Sequence, residues 1–132
     1  VFGRRLVLRT VEGGWGGPVP EGAVRLPEAR RGVVERPSPT HADLQALMWD
    51  LVGIARDGAG LRGAADTLGG WARALPHPTD RPSHELRNMV LLARIMAESA
   101  LMRTESRGAH YRTDHPEASP EWERHIVIAP HE

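Results

Sequence analysis

The chain has 132 residues, of which 40% are hydrophobic, and its 17 basic residues balance its 17 acidic ones. A chain without net charge lacks the basic field that attracts nucleic acid or an anionic membrane, so we expect neither as a partner. It contains no cysteine, which excludes disulfides, thiolate nucleophiles and zinc–thiolate sites.

Hydropathy and the first residue indicate the cellular location of the chain and its place in a longer polypeptide. No apolar run approaches the roughly 20 residues that a membrane span needs, and no secretory signal is recognisable. The sequence begins with Val1 rather than methionine. We therefore expect one domain of a longer, cytoplasmic polypeptide.

Residues 1–39 predict an irregular arm. Glycine and proline are dense here, and the glycine-rich stretch 13–18 is typical of a linker because glycine resists regular structure. Prolines further along favour extended backbone. Residues 5–11 form either a short strand or the end of a helix, and their periodicity does not distinguish the two.

Two helices are predicted next, at about 40–56 and 60–75. The first begins with Thr40 and Asp43 at the spacing of a capping box. In each segment the apolar residues recur at helical spacing and form one apolar face. Glycines between the two segments break the pattern, and the proline-rich stretch 76–82 ends the second helix.

The third helix is predicted at about 83–106, and it is the longest. Its apolar residues cover two adjacent faces, so we expect it to contact both other helices. Gly108 is a natural stop. Three helices with short connections predict a mainly α fold in which residues 40–132 form an antiparallel three-helix bundle.

A short strand is predicted near the end of the chain, at about 124–128. A single strand leaves its N–H and C=O groups unpaired, so it needs an edge to join. Within this chain we expect only residues 5–11 to supply that edge. Otherwise the edge belongs to a domain outside the chain.

The densest polar cluster is the stretch 105–117, which follows the third helix. It contains two arginines, two histidines and three carboxylates. Such groups bind a dicarboxylate or act as acid and base, but they also cap a helix and form ion pairs with a neighbouring domain. We favour the structural role. His110 and His115 complete no recognisable ligand set, so we assign no metal, catalytic or cofactor-binding residue.

Two longer motifs resemble a known family. ESRGAHYRTDHPE (105–117) resembles the C-terminal signature of the succinate dehydrogenase/fumarate reductase flavoprotein superfamily. LQALMWDLVGIARD (44–57) is similar to its L-aspartate oxidase branch, as are Trp122 and the segment 125–127. The opening residues 1–5 are similar to the segment just after that family's flavin-contacting stretch.

The resemblance implies a definite role. L-Aspartate oxidase is a cytoplasmic FAD enzyme that oxidises L-aspartate to iminoaspartate, which feeds quinolinate and NAD synthesis. Its cofactor and substrate sites lie in flavin and capping domains that would precede Val1. The family's C-terminal domain is a three-helix bundle packed on the flavin domain, so residues 1–39 would be the linker. This chain alone is then expected to be inactive and to hold no cofactor.

The same resemblance assigns a role to the matching polar positions. We expect Arg56, Arg107, His110, Arg112 and Asp114 to form polar contacts across the junction with the flavin domain. We also expect that the chain self-associates when apolar area meant for that domain is left bare.

Three alternatives remain. The nearest alternative is the corresponding domain of a succinate dehydrogenase or fumarate reductase flavoprotein, which also docks an iron–sulfur subunit, although the Met48–Asp50 context favours the oxidase. It is otherwise a free-standing helical module that binds a protein. The last alternative is a small enzyme that uses His110 and Asp114.

Overall fold

The fold is taken from a computed structural model, which describes residues 22–26 and 37–129. These residues fall into two compact units, one containing 22–25 with 126–129 and the other containing Leu26 with 37–125. The elements in chain order are β1 (Val24–Arg25), α1 (His41–Val52), β2 (Ala55–Arg56), α2 (Gly58–Ala74), α3 (Arg81–Met102), β3 (Tyr111–Arg112), a 3-10 turn (Pro120–Trp122) and β4 (Ile128–Ala129).

Helix α1 begins at the predicted capping box. The Thr40 side chain accepts from the Asp43 N–H at 3.2 Å, and the Asp43 carboxylate accepts from the Thr40 N–H at 2.8 Å. The helix ends at Val52, so the predicted continuation to residue 56 is wrong. The chain turns away at Gly53, where a Cβ would lie 2.8 Å from the Trp49 carbonyl oxygen.

Helix α2 starts two residues earlier than predicted. The sequence pattern indicates a break at the glycines near its start, yet Gly58 and Gly60 lie in its first turn. The reason is capping, since the Asp57 side chain accepts from the Gly60 N–H at 2.8 Å. Leu61 and Leu68 are fully buried on the face that this helix turns to its neighbours.

Helix α3 spans 22 residues and is shifted toward the N-terminus relative to the predicted 83–106. Asp80 and Ser83 form a second capping box, which fixes the start. The three helices pack against one another and share one core, so the mainly helical class is confirmed. Its most buried members are Leu44, Leu61, Ala64, Leu68, Val90 and Ala97.

Two short parallel strand pairs complete the fold. β2 pairs with β3, and β1 pairs with β4. The tail strand therefore begins at Ile128 rather than near 124, and its partner is Val24–Arg25. The expectation that only residues 5–11 could supply an edge is wrong, and residues 5–11 themselves lie outside the described part of the chain. The carbonyl of Arg124, the first residue of the predicted strand, accepts from Arg103 at 2.7 Å instead of from a neighbouring strand.

In the described ranges, no helix combines the length and the apolar character needed to cross a bilayer.

Candidate functional site: the polar loop after the third helix

The polar loop, defined here as residues 103–119, is held by its own backbone. Arg107 and His110 exchange N–H···O=C bonds of 2.8 and 3.0 Å, and Gly108 between them has a φ of +58°. Glycine adopts this left-handed conformation without the clash that a Cβ brings. The Ser106 hydroxyl donates to the His115 carbonyl at 2.8 Å. The loop is therefore a folded unit that presents its side chains in fixed directions.

Arg112 is 2% exposed and closes the C-terminal end of α3. Its Nη1 donates to the carbonyl oxygens of Ala100, Leu101 and Arg103 at 2.9, 3.2 and 3.2 Å. The last carbonyls of a helix have no partner within the helix and carry partial negative charge. A buried guanidinium satisfies them, and this explains why α3 ends at Met102 instead of continuing to residue 106.

Asp114 joins this cap to the start of α2. Arg112 donates to Asp114 through Nε and Nη2, at 2.7 and 2.8 Å, and the Gly58 N–H donates to the same carboxylate at 2.9 Å. The cation thus lies at a helix C-terminus and the anion at a helix N-terminus, where each favours the local dipole. The hydrogen bonds from Arg112 hold the pKa of Asp114 well below its ordinary value.

The close approach at Gly58 gives a test of this ion pair. A Cβ there would lie 2.8 Å from Asp114 Oδ2 and 3.0 Å from Arg112 Nη2. We expect Gly58→Ala to destabilise the chain by about 1–3 kcal/mol, since the pair must shift to make room. At Gly63, within the same helix, an added Cβ meets nothing within 4 Å. Gly63→Ala should therefore stabilise by about 0.5–1 kcal/mol, because alanine costs less backbone entropy.

Urea unfolding of the two variants beside the unchanged chain measures both effects. If Gly58→Ala stabilised the chain as much as Gly63→Ala does, the Arg112–Asp114 pair would not be held in the geometry described above.

Glu105 is the second buried charge of the loop, with no exposed surface. Its carboxylate accepts from Arg107 Nε and Nη2 at 3.1 Å and from the Ser119 N–H at 2.8 Å, and Arg103 Nη1 donates to it as well. These donors, that of Arg107 first, lower the pKa of Glu105 from 4.5 to about 2. The carboxylate is therefore ionised throughout the physiological pH range and ties both ends of the loop together.

Trp122 closes the far side of the loop. The guanidiniums of Arg103 and Arg124 lie 5.3 and 5.1 Å from the centre of its ring, and its Nε1 donates to the Thr104 hydroxyl at 3.0 Å. Arg103 also donates to the Arg124 carbonyl at 2.7 Å. Sequence reasoning missed Arg103 and Glu105 as organising residues, although two arginines flanking a glutamate at a spacing of two residues were a usable signal.

Arg56 and His110 lie at the edge of the loop. Arg56 Nη2 donates to the Ala109 carbonyl at 3.3 Å, and the Arg56 carbonyl accepts from the Thr113 N–H at 2.9 Å. The Arg56 Nε is buried and has no acceptor among the described residues. His110 Nε2 lies 3.3 Å from the Arg103 carbonyl oxygen, and burial, aided by nearby arginines, lowers the pKa of His110.

The structure thus brings all five predicted residues to the polar loop and β2, but it uses them differently. The Arg112 guanidinium is hydrogen-bonded within the domain, whereas the side chains of Arg107 and Asp114 remain partly exposed. The Asp114 carboxylate already accepts three hydrogen bonds, so it is poorly suited to act as a general base together with His110. In the described ranges no group of three His, Cys, Asp or Glu side chains is placed to hold a metal ion.

Comparison with known proteins places this loop in a family. Residues 81–132, which contain α3 and the whole polar loop, match the family described as "Fumarate reductase flavoprotein C-term". The chain belongs to the C-terminal domain of the succinate dehydrogenase/fumarate reductase flavoprotein superfamily. The polar loop therefore lies within the part of the chain that matches this family.

Relatives within the superfamily carry different names. The chain is 37% identical to an L-aspartate oxidase of Rhodospirillum rubrum over 79% of its own length and 37% of that protein. It is 31% identical to one component of the CoM/CoB fumarate reductase of Methanothermobacter marburgensis, over 97% of its own length and 26% of that protein. The Sdh1 structure from Mycobacterium smegmatis, solved in complex with UQ1, is 40% identical over 62% of this chain, with a TM-score of 0.52.

The chain spans only part of the length of each of these proteins. It covers 15% of the Sdh1 chain and no more than 37% of the two curated relatives above. The domain thus corresponds to a minor part of each larger protein.

Proposed function

We propose that the chain is the C-terminal helical domain of an FAD-dependent L-aspartate oxidase and has no catalytic activity alone. The observation that carries the proposal is the likeness to an L-aspartate oxidase over 79% of the chain. It is supported by the loop chemistry, because the strongest charges are neutralised within the domain. Such a site stabilises a structure more readily than it transfers protons.

In this proposal the reaction takes place outside the described residues. A cytoplasmic parent polypeptide would bind FAD in its flavin domain, and the cofactor would supply the chemistry for oxidising L-aspartate to iminoaspartate, for quinolinate and NAD synthesis, with oxygen or fumarate as the final acceptor. We assign no flavin ligand and no substrate ligand to this chain. Its residues supply a folded support that packs on the flavin domain of the same polypeptide.

The proposal keeps Arg56, Arg107, His110, Arg112 and Asp114 as the polar part of the junction. Two of them have exposed groups to offer, since the side chains of Arg107 and Asp114 are partly exposed. Arg112 would contribute indirectly, by holding the Asp114 carboxylate in place. We further propose that the helices are antiparallel and that 1–39 is the linker from the flavin domain, with 40–132 as the helical domain.

A second candidate has its own support. The fumarate reductase relative aligns with 97% of the chain, and the Sdh1 protein is among the similar solved structures. The chain would then be the equivalent domain of a succinate dehydrogenase or fumarate reductase flavoprotein, with the same structural role.

One experiment distinguishes the candidates. The complete polypeptide that carries this chain is expressed beside the 132-residue chain, and flavin absorbance is recorded together with peroxide release on adding L-aspartate. We expect a yellow polypeptide that oxidises aspartate and a colourless, inactive chain. Oxidation of succinate instead, read with a dye acceptor, would favour the second candidate and leave the domain role intact. Aspartate oxidation by the 132-residue chain alone would contradict the proposal.

A further inference from the structure

A pocket of about 530 Å³ lies between α1, α2 and the segment 37–39 that leads into α1. Leu47 and Leu51 of α1 and Trp71 of α2 give it apolar walls. Pockets that bind small molecules generally measure about 300–1,000 Å³ and combine apolar walls with a few well-placed polar groups. None of the described residues that line this pocket belongs to the polar loop, so it is a separate feature of the domain.

Two side chains of α2 bring polar atoms to the pocket. Thr67 is 7% exposed and Trp71 is 8% exposed, and both line the pocket. They are four residues apart, so they lie on the same side of the helix. Neither the Thr67 hydroxyl nor the Trp71 indole N–H forms a hydrogen bond with another described residue, and neither atom is fully enclosed. Buried polar groups in folded proteins generally have a partner, so both atoms are available to a bound molecule.

The α1 side of the pocket is acidic. Asp43 and Asp50 both line it, and they lie two helical turns apart on the same side of α1. The Thr40 N–H and hydroxyl both donate to Asp43 Oδ2, which lowers the pKa of Asp43 and leaves Oδ1 free to accept. Asp50 forms no ion pair or hydrogen bond with another described residue. No arginine or histidine is among the described lining residues, so the pocket has an uncompensated negative charge.

We propose that this pocket binds a small organic cation, an amine or guanidine carried on an aromatic group. The cation pairs with the carboxylates of Asp43 and Asp50. The aromatic group packs against Leu47, Leu51 and Trp71, where burial of its apolar area adds to the affinity. A hydroxyl on the ligand meets the Thr67 hydroxyl or the Trp71 N–H. One exposed ion pair alone contributes little, so the site needs all three contacts together.

Tyramine has this chemistry, since it joins an ammonium to a phenol. Proton–nitrogen correlation spectra of the 132-residue chain, labelled with ¹⁵N, show each indole N–H separately, and Trp71→Phe identifies the signal of Trp71. We expect tyramine to shift that signal with half-saturation at about 1 mM or below. The signals of Trp49 and Trp122, which do not line the pocket, should stay in place.

Two analogues of tyramine test the role of charge. 4-Ethylphenol keeps the ring and the hydroxyl but lacks the ammonium, so we expect it to bind at least about fivefold more weakly. 3-(4-Hydroxyphenyl)propionate has a carboxylate in place of the ammonium, so the two aspartates should repel it and the Trp71 signal should not move. Equal affinity for tyramine and 4-ethylphenol would overturn the proposal, because the pocket would then be a nonspecific apolar cavity.

Two exposed carboxylates provide matched variants. We expect Asp50→Asn to weaken tyramine binding by about threefold, since one of two anions is lost. Glu121→Gln should leave binding unchanged, because Glu121 is exposed and does not line the pocket. Circular dichroism checks that both variants keep their helices. Equal binding by the two variants, or no shift of the Trp71 signal at about ten times the expected half-saturation, would also contradict the proposal.

Discussion

Arg112→Ala is expected to lower the free energy of unfolding by about 3–5 kcal/mol, the range found when one partner of a buried ion pair is removed. Three effects add at this position. The carbonyls of Ala100, Leu101 and Arg103 lose their donor, Asp114 loses its bidentate partner, and a cavity replaces a buried side chain. A domain of this size has only about 5–15 kcal/mol of stability in total, so the variant is close to unfolding.

Urea unfolding at neutral pH, followed by helical circular dichroism, measures this effect. The matched control is Arg81→Ala, because Arg81 pairs with Glu85 on the exposed surface of the same helix at 2.7 Å. Exposed pairs of this kind are worth at most about 0.5 kcal/mol. A similar small change for both arginines would show that Arg112 does not cap α3 in solution.

Arg112→Lys separates geometry from charge. A lysine ammonium keeps the charge but cannot pair with both oxygens of Asp114 while it contacts the carbonyls at the end of α3. We therefore expect Arg112→Lys to remain destabilised by at least about 1 kcal/mol. Full recovery by lysine would mean that only the charge at this position matters.

The sequence predicts the features that depend on residues close together in the chain. The start of α1 follows from Thr40 and Asp43, which lie three residues apart and bond each other. The three helices follow from apolar spacing, because a buried stripe repeats within each segment. The C-terminal ends of the helices are harder to predict from the sequence. Helix α3 stops where Arg112, ten residues beyond it, takes its carbonyls, and no local pattern in 100–106 encodes that.

The site shows the same limit. Composition marks the stretch 105–117 as unusual, but it does not say which arginine meets which carboxylate. Arg112 selects Asp114, and Asp114 reaches the Gly58 N–H, 56 residues away in the chain. The two-residue parallel pair of β2 and β3 makes this contact possible, and strands that short carry no sequence signal. The sequence is compatible with Trp49 in a core or in an interface, and only the structure shows that it lies on the surface.

Glu105→Gln is expected to lower the thermal midpoint of unfolding by at least about 5 °C. The amide keeps the shape of the carboxylate but removes its charge, so Arg103 and Arg107 lose the anion that both of them bind. The amide also offers N–H groups where donors already point. The control is Glu123→Gln, because Glu123 lies 3.8 Å from the same Arg107 but its side chain is mostly exposed. That variant should leave the midpoint almost unchanged.

The dependence of stability on low pH gives a second test of the Glu105 ion pairs. The pKa of Glu105 is about 2 in the folded chain and ordinarily 4.5, so its contribution to stability is complete above 4.5 and is lost as the pH falls toward 2. Asp114, whose pKa is also lowered, adds to the loss with the same sign. We expect the urea midpoint of the unchanged chain to fall between pH 5 and pH 2, roughly the window these pKa shifts define. The Glu105→Gln variant should lose less over that window because it has one depressed carboxyl fewer. An equal loss in both would show that Glu105 is not held by Arg107 and Arg103 as described.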